Sequence, residues 1–130
     1  MILLDTSVLI DALTGGRRLA PALRQAIESG EQIAIPTLVL YEWQRGPRRD
    51  EELAVQEALW PGENAIAFGA DEAAIAADLY RALRHPRGRE IDLAIAACAI
   101  CRGAELWTMN VKDFRDVPGL MLYRPGPRDS

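Results

Sequence analysis

The sequence predicts an α/β fold: a single three-layer α/β/α domain with a central parallel sheet of four or five strands. Three observations carry that expectation. Short apolar runs recur along the chain with helical patterns between them, the order that builds a parallel sheet with crossover helices. Ile2-Leu3-Leu4 is apolar at successive positions rather than alternating ones, so its strand is buried on both faces. The run from Ile91 to Ile100 is apolar almost all round except at Asp92, as suits a helix buried against a sheet.

Taken in order, the first strand meets Asp5 at its carboxyl edge, where open parallel sheets bind ligands. A helix from Ser7 to Leu13 follows and is broken by Gly15-Gly16. Leu19 to Ser29 forms the next helix and stops at Gly30. Gln32 to Ile35 is a short strand. Pro36-Thr37 starts a helix on which Leu38, Tyr41, Glu42 and Arg45 fall on adjacent turns of one face, and Gly46-Pro47 closes it. Asp50 to Leu59 is a helix with Asp50 as its cap. Ala65 to Phe68 reads as a third strand and Asp71 to Arg84 as a long amphipathic helix. His85 to Arg89 is a basic loop ahead of the buried helix, which Gly103 ends. Glu105 to Thr108 is a fourth strand and Leu120 to Tyr123 a short fifth, with the polar turn Asn110-Val111-Lys112-Asp113-Phe114 between them. The domain therefore spans residues 1–124, and 125–130 form a short frayed tail.

A chain of 130 residues buries a sizeable core without disulfide or metal staples. Its 49% hydrophobic and 26% charged residues are ordinary for a soluble globular protein. Charge or Pro interrupts every apolar run before it reaches membrane-spanning length. The apolar start lacks a basic leader and meets Asp5 too soon for a signal peptide, so a cytoplasmic location is expected. The net charge of -4 and pI of about 5.0 argue against nucleic-acid binding driven by charge over the whole surface. Arg17/Arg18, Arg45/Arg48/Arg49 and Arg81/Arg84/Arg87/Arg89 nevertheless form clusters. They are either local phosphate-binding patches, which the planar guanidinium fork suits, or solvated helix ends. Cys98 and Cys101 make a C-x-x-C late in a helix, away from the N-terminal turn that lowers a thiol pKa. The expectation is buried, reduced, inert thiols; one pair with His85 far off does not close a zinc site.

Four acids stand where such a fold gathers them: Asp5 after the first strand, Glu42 on an otherwise apolar helix, Asp92 in a buried helix's first turn, and Asp113 after the fourth strand. Strand ends and the helix starts that follow them share one end of the sheet. Glu42 joins only if its helix packs across the crevice. Each acid also has a plain structural explanation. Asp5 caps a helix, Asp92 complements a helix dipole, Asp113 forms a turn and Glu42 pairs with Arg45. Together those explanations leave the apolar surroundings of these acids unaccounted for. Clustered carboxylates raise one another's pKa and call for a cation, and an all-oxygen set favours Mg²⁺ or Mn²⁺. Such an ion activates water against a phosphodiester. On this reading Asp5 anchors the site and capping falls to Thr6 or Ser7. Asp11, Asp71, Asp78, Asp116 and Asp50-Glu51-Glu52 are read as solvated.

Leu4-Asp5-Thr6-Ser7-Val8, the helix-borne Glu42, Asp92-Leu93-Ala94-Ile95-Ala96-Ala97 and Thr108-Met109-Asn110-Val111-Lys112-Asp113-Phe114 together resemble the PIN domain, in particular the VapC-type ribonuclease toxins of bacterial toxin–antitoxin pairs. The resemblance spans Ile2 to Phe114. It implies Mg²⁺- or Mn²⁺-dependent cleavage of RNA, homodimerisation, and inhibition by a cognate antitoxin protein. By position, Asp5, Asp92 and Asp113 resemble the metal-binding acids and Glu42 the helix acid that completes the catalytic site. Thr6, Ser7 and Asn110 would orient substrate or water.

Two rival classes also place acids round a Mg²⁺. A receiver-like domain needs an acidic pair after its first strand and a phospho-accepting Asp after its third, whereas Asp5 is alone and Phe68-Gly69 follows the third candidate strand. An aspartyl-phosphate phosphatase using Asp5 as nucleophile wants a second acid two residues on, where Ser7 stands.

Overall fold

The computed structural model describes residues 1–126, so most of the expected tail (125–130) lies outside the described residues. The elements are β1 (Ile2–Leu4), α1 (Thr6–Leu13), α2 (Ala20–Glu28), β2 (Ile33–Ala34), α3 (Thr37–Arg45), α4 (Asp50–Leu59), α5 (Ala70–Ala82), α6 (Glu90–Arg102), β3 (Glu105–Trp107) and β4 (Met121–Leu122). Two single-turn 3-10 helices, Gly62–Asn64 and Val111–Asp113, complete the described residues.

Among the described residues the strands form one sheet in the order β2-β1-β3-β4, every pairing parallel. The central strand β1 has no exposed surface, which is why it reads as an unbroken apolar run. The chain leaves β1 for β2 on one side and later supplies β3 on the other, so strand order reverses at β1. Asp5 thereby lies at the topological switch point, in the crevice where open α/β sheets take ligands. Helix α1 packs on α2, α3 and α4, while α5 runs along α6 and α6 lies on β3, giving the α/β/α layering. Trp43, Trp107, Phe114 and Ile95 are among the largest fully buried side chains. Leu93 through Ala99 are buried, which accounts for the near-continuous apolar run of α6. Gly103 ends α6 in the left-handed conformation at φ 61°, where a side chain would add strain.

Four expectations need correction. Ala65 to Phe68 is not a strand: a single parallel bridge joins Ile66 to Pro36. Ile66 N donates to Ile35 O at 2.9 Å and Thr37 N to Ile66 O at 2.8 Å, after which the partner chain has already turned into α3. The pairing ends because Pro36 offers no N–H and opens a helix. At α4 the capping position belongs to Arg49, whose N–H donates to Glu52 Oε1 at 2.8 Å, and Asp50 is the first helical residue. Asp11 and Glu52 are buried rather than solvated, at 8% and 9% exposure. Asp11 Oδ2 accepts from Leu19 N at 2.7 Å, so this carboxylate stands in for the missing backbone partner at the start of α2. Neither Thr6 nor Ser7 caps α1. Asp5 occupies the cap position by backbone geometry and makes no side-chain cap bond, because its carboxylate turns to other donors.

Candidate active site

The parallel register sets Leu4 opposite Trp107, so the residues that follow, Asp5 and Thr108, meet at the carboxyl edge of the sheet. Asp5 is 4% exposed. Its Oδ2 accepts from Thr108 Oγ1 at 2.7 Å and from Ser7 Oγ at 2.8 Å. Ser7 Oγ in turn accepts from Met109 N at 3.0 Å, and Thr108 Oγ1 from Asn110 N at 3.0 Å. These two hydroxyls tie the end of β1 to the loop after β3. They also fix the Asp5 carboxylate through two bonds to one oxygen, and a buried charge needs such donors.

Glu42 reaches the same edge from α3. Thr6 Oγ1 donates to Glu42 Oε1 at 2.6 Å, joining the first turn of α1 to the middle of α3. The helix therefore does pack across the mouth of the crevice. Arg45 also reaches Glu42, its Nη2 lying 3.5 Å from Oε2, so the pairing with its own helix and the placement at the crevice hold together.

Asp92, in the first turn of α6, is half-buried, and its carboxyl is pushed up from 3.8 to about 6. Loss of hydration is the largest cause, followed by the charges of Asp5, Asp113 and Glu42, while Arg89 opposes them. The other three acids singled out in the sequence thus lie within electrostatic reach of Asp92. Asp113 is exposed and ends the 3-10 turn Val111–Asp113. Arg89 holds that turn: its Nη2 donates to Asp113 O at 2.9 Å, and its two terminal nitrogens grip Asp116 at 2.6 and 2.9 Å.

The four carboxylates do not close into a cage. Among the described residues no three His, Cys, Asp or Glu side chains stand together closely enough to hold a metal ion between them. Asn110 is exposed; its backbone braces Thr108, whereas its side chain makes no hydrogen bond among the described residues. The residue that sequence reasoning passed over is Thr108, quoted in a motif but given no part. The signal was present: a hydroxyl directly after the apolar Leu106-Trp107, as Asp5 directly follows Leu3-Leu4. Arg89 was read only as one of a basic cluster, although its carboxylate partner Asp116 lies 27 residues on.

A sequence profile of the PIN domain matches residues 2–120, which take in β1 to β3 and all four acids. The chain belongs to the PIN domain family. It is 37% identical over 122 residues to ribonuclease VapC19 of Mycobacterium tuberculosis, an alignment covering 92% of this chain and 97% of that protein. Among solved structures, VapBC2 from Rickettsia felis bound to a promoter DNA fragment superposes with a TM-score of 0.75 at 26% identity, covering 95% of this chain and 98% of the other. A toxin–antitoxin complex from Klebsiella pneumoniae gives a TM-score of 0.70 at 30% identity, covering 93% and 96%. The PIN-like α/β/α fold expected from the sequence is therefore the fold observed. The match to VapC-type proteins runs nearly end to end on both sides.

Proposed function

We propose that this chain is a divalent-metal-dependent endoribonuclease that acts as the toxin of a toxin–antitoxin pair. The observation that carries the reading is the acidic cluster at the sheet switch point. Burial together with Asp5, Asp113 and Glu42 lifts Asp92 to about 6, a strain that a bound cation relieves. Divalent-metal use is general among PIN-domain ribonucleases, and the donor set here fits such an ion. Hard carboxylate oxygens suit Mg²⁺ or Mn²⁺, and Mg²⁺ takes only one or two carboxylates while keeping several waters, so an open cluster serves where a closed cage is absent. Asp5 and Asp92 would hold the ion, with Asp113 and Glu42 beside it. When bound, the ion supplies a Lewis acid for the scissile phosphate and lowers the pKa of water.

The chain's own residues do the positioning. Ser7 and Thr108 lock the Asp5 carboxylate, and Thr6 locks Glu42 at the other wall. Asn110, exposed beside Thr108, is free to meet substrate or water. The overall reaction adds water across one phosphodiester P–O bond of RNA. The names of the relatives, a ribonuclease and toxin–antitoxin assemblies, support RNA as substrate and an antitoxin protein as partner. The same resemblance carries an expectation of homodimerisation, which sedimentation of the purified protein tests. Among the described residues no helix is long and apolar enough to cross a membrane, in keeping with action on cellular RNA.

Phospho-aspartyl chemistry at Asp5 is the weaker reading, since Asp5 is buried and its neighbour two positions on is Ser7, which donates to it instead of managing a proton. Asp5→Asn is expected to abolish Mn²⁺-stimulated cleavage of a mixed RNA substrate with the folded circular dichroism spectrum retained. Cleavage at the wild-type rate, or a stable phospho-adduct from an acyl-phosphate donor, would overturn the proposal.

A further inference from the structure

The Arg clusters differ once their partners are known. In the first, Arg17 Nε donates to Thr14 O at 3.2 Å and Arg18 Nε lies 3.7 Å from Asp11. In the second, Arg45 pairs with Glu42 and sits 5.2 Å from the centre of the Tyr41 ring. Arg48 stacks 4.5 Å over Trp43, and Arg49 pairs with Glu52 at 3.5 Å. In the third, Arg81 pairs with Asp78 and Arg89 with Asp116. Arg84 and Arg87 are left: both are exposed, and neither has a carboxylate partner among the described residues. A net charge of -4 spread over the molecule therefore coexists with a loop whose Arg84 and Arg87 have no carboxylate partner among the described residues.

That loop is built rather than slack. Arg89 N donates to Pro86 O at 3.0 Å and Arg89 Nη1 to His85 O at 3.4 Å. Gly88 turns at φ 84°, and its N–H donates to Glu90 Oε1 at 3.2 Å. Anchored by Arg89 on Asp116, the turn runs directly into α6, where Asp92 is three residues beyond Arg89. Arg89 Nη2 also donates to Asp113 O at 2.9 Å, which places the turn beside the acidic cluster. Tyr80, Arg84, His85, Pro86 and Arg87 line a cavity of about 430 Å³, and Tyr80 is 39% exposed.

We propose that this turn is the phosphate grip of the active site. Arg84 and Arg87 hold backbone phosphates of single-stranded RNA leading to the scissile bond, and the Tyr80 ring offers a face for a base. The chemistry is that of non-specific single-strand binding: guanidinium forks on phosphates with an aromatic platform between them. The inference rests on the ribonuclease reading and assigns which part of the surface carries the substrate.

The test measures binding of a fluorescent single-stranded oligoribonucleotide by anisotropy, with Asp5→Asn as the parent so that no turnover occurs. Each phosphate contact on a single strand contributes about 0.7 to the slope of log affinity against log salt, so adding Arg84→Gln and Arg87→Gln should lower that slope by about 1.4. Between about 50 and 200 mM salt the parent then loses roughly sevenfold more affinity than the variant. Tyr80→Leu should weaken binding about fivefold or more with the slope unchanged. Arg18→Gln with Arg49→Gln, both already paired, should leave the slope alone. An unchanged slope in the Arg84/Arg87 variant, with the parent still binding RNA, overturns the grip. So does an unchanged slope accompanied by a shift in oligomeric mass, which assigns the surface to protein contact. Absence of RNA binding by the parent together with absence of cleavage by the wild type removes the ribonuclease reading itself.

Discussion

Replacing Asp92 by Asn should make the metal-free protein more stable while removing its activity. Folding raises the Asp92 carboxyl from 3.8 to about 6, so the folded state prefers the neutral form. A shift of about two units corresponds to about 3 kcal/mol as an upper bound. Asp92 is only half-buried, and solvent screening reduces this to about 1 to 1.5 kcal/mol. For a raised carboxyl the favourable contribution is complete below the unfolded value of 3.8 and is lost as pH climbs through about 6. Asn remains neutral throughout. The stability gap between variant and wild type should therefore be small near pH 4, open between about pH 4 and 6, and stay constant above. Thermal melts in EDTA read it as a gain of about 3 to 7 °C at neutral pH. Added Mn²⁺ should reverse the order, because a ligand at a hundredfold its Kd stabilises the wild type by about 2.7 kcal/mol and the variant much less. A variant no more stable than wild type in EDTA at neutral pH, or a gap that ignores pH, would show that Asp92 carries no burial and like-charge strain.

Two further outcomes follow from the hydrogen-bond network and the thiols. Thr108→Val removes one of two donors to the Asp5 carboxylate while keeping its shape; a loss of about 1.5 to 3 kcal/mol in stability and about 10- to 100-fold in Mn²⁺ affinity is expected by denaturant titration and calorimetry. Burial pushes the Cys98 thiol up to about 11, with Glu72 and Cys101 adding to it. The native protein at about pH 8 should therefore hold Cys98 inert to a disulfide reagent, since only about one thiol in a thousand is ionised, and release its colour only on unfolding. Rapid native labelling of Cys98 would refute the buried placement.

Much of this protein was legible because its informative patterns are local. The unbroken apolar Ile2-Leu3-Leu4 announced a central strand, Gly30, Gly46 and Gly103 marked helix ends, and the apolar length of α6 announced burial. Three of the four acids stood out for the same reason: Asp5, Glu42 and Asp92 each interrupt or end an apolar segment, a cost that a structural explanation covers only one acid at a time, whereas Asp113 stood out by following a strand. What stayed hidden depended on partners distant in sequence. Ala65 to Phe68 has strand composition, yet its neighbour had already turned at Pro36, so one bridge was all that formed. Asp11 looks like a surface acid until the chain turns back beyond Gly15-Gly16 and brings the Leu19 N–H to it.

Glu42's place at the crevice was conditional on helix packing that Thr6 reports only in three dimensions. Thr108 needed the β1–β3 register, which joins residues 103 positions apart. The pair Arg84 and Arg87 emerged only after the other guanidinium groups of the three sequence clusters had found an anion, carbonyl or ring. The amino-acid order by itself determined most of the elements, the family and the choice of four candidate acids, because hydrophobic period and helix punctuation act over a few residues. The tertiary structure alone decided register, charge pairing and the raised pKa of Asp92, because those depend on distances between segments that the local pattern does not encode.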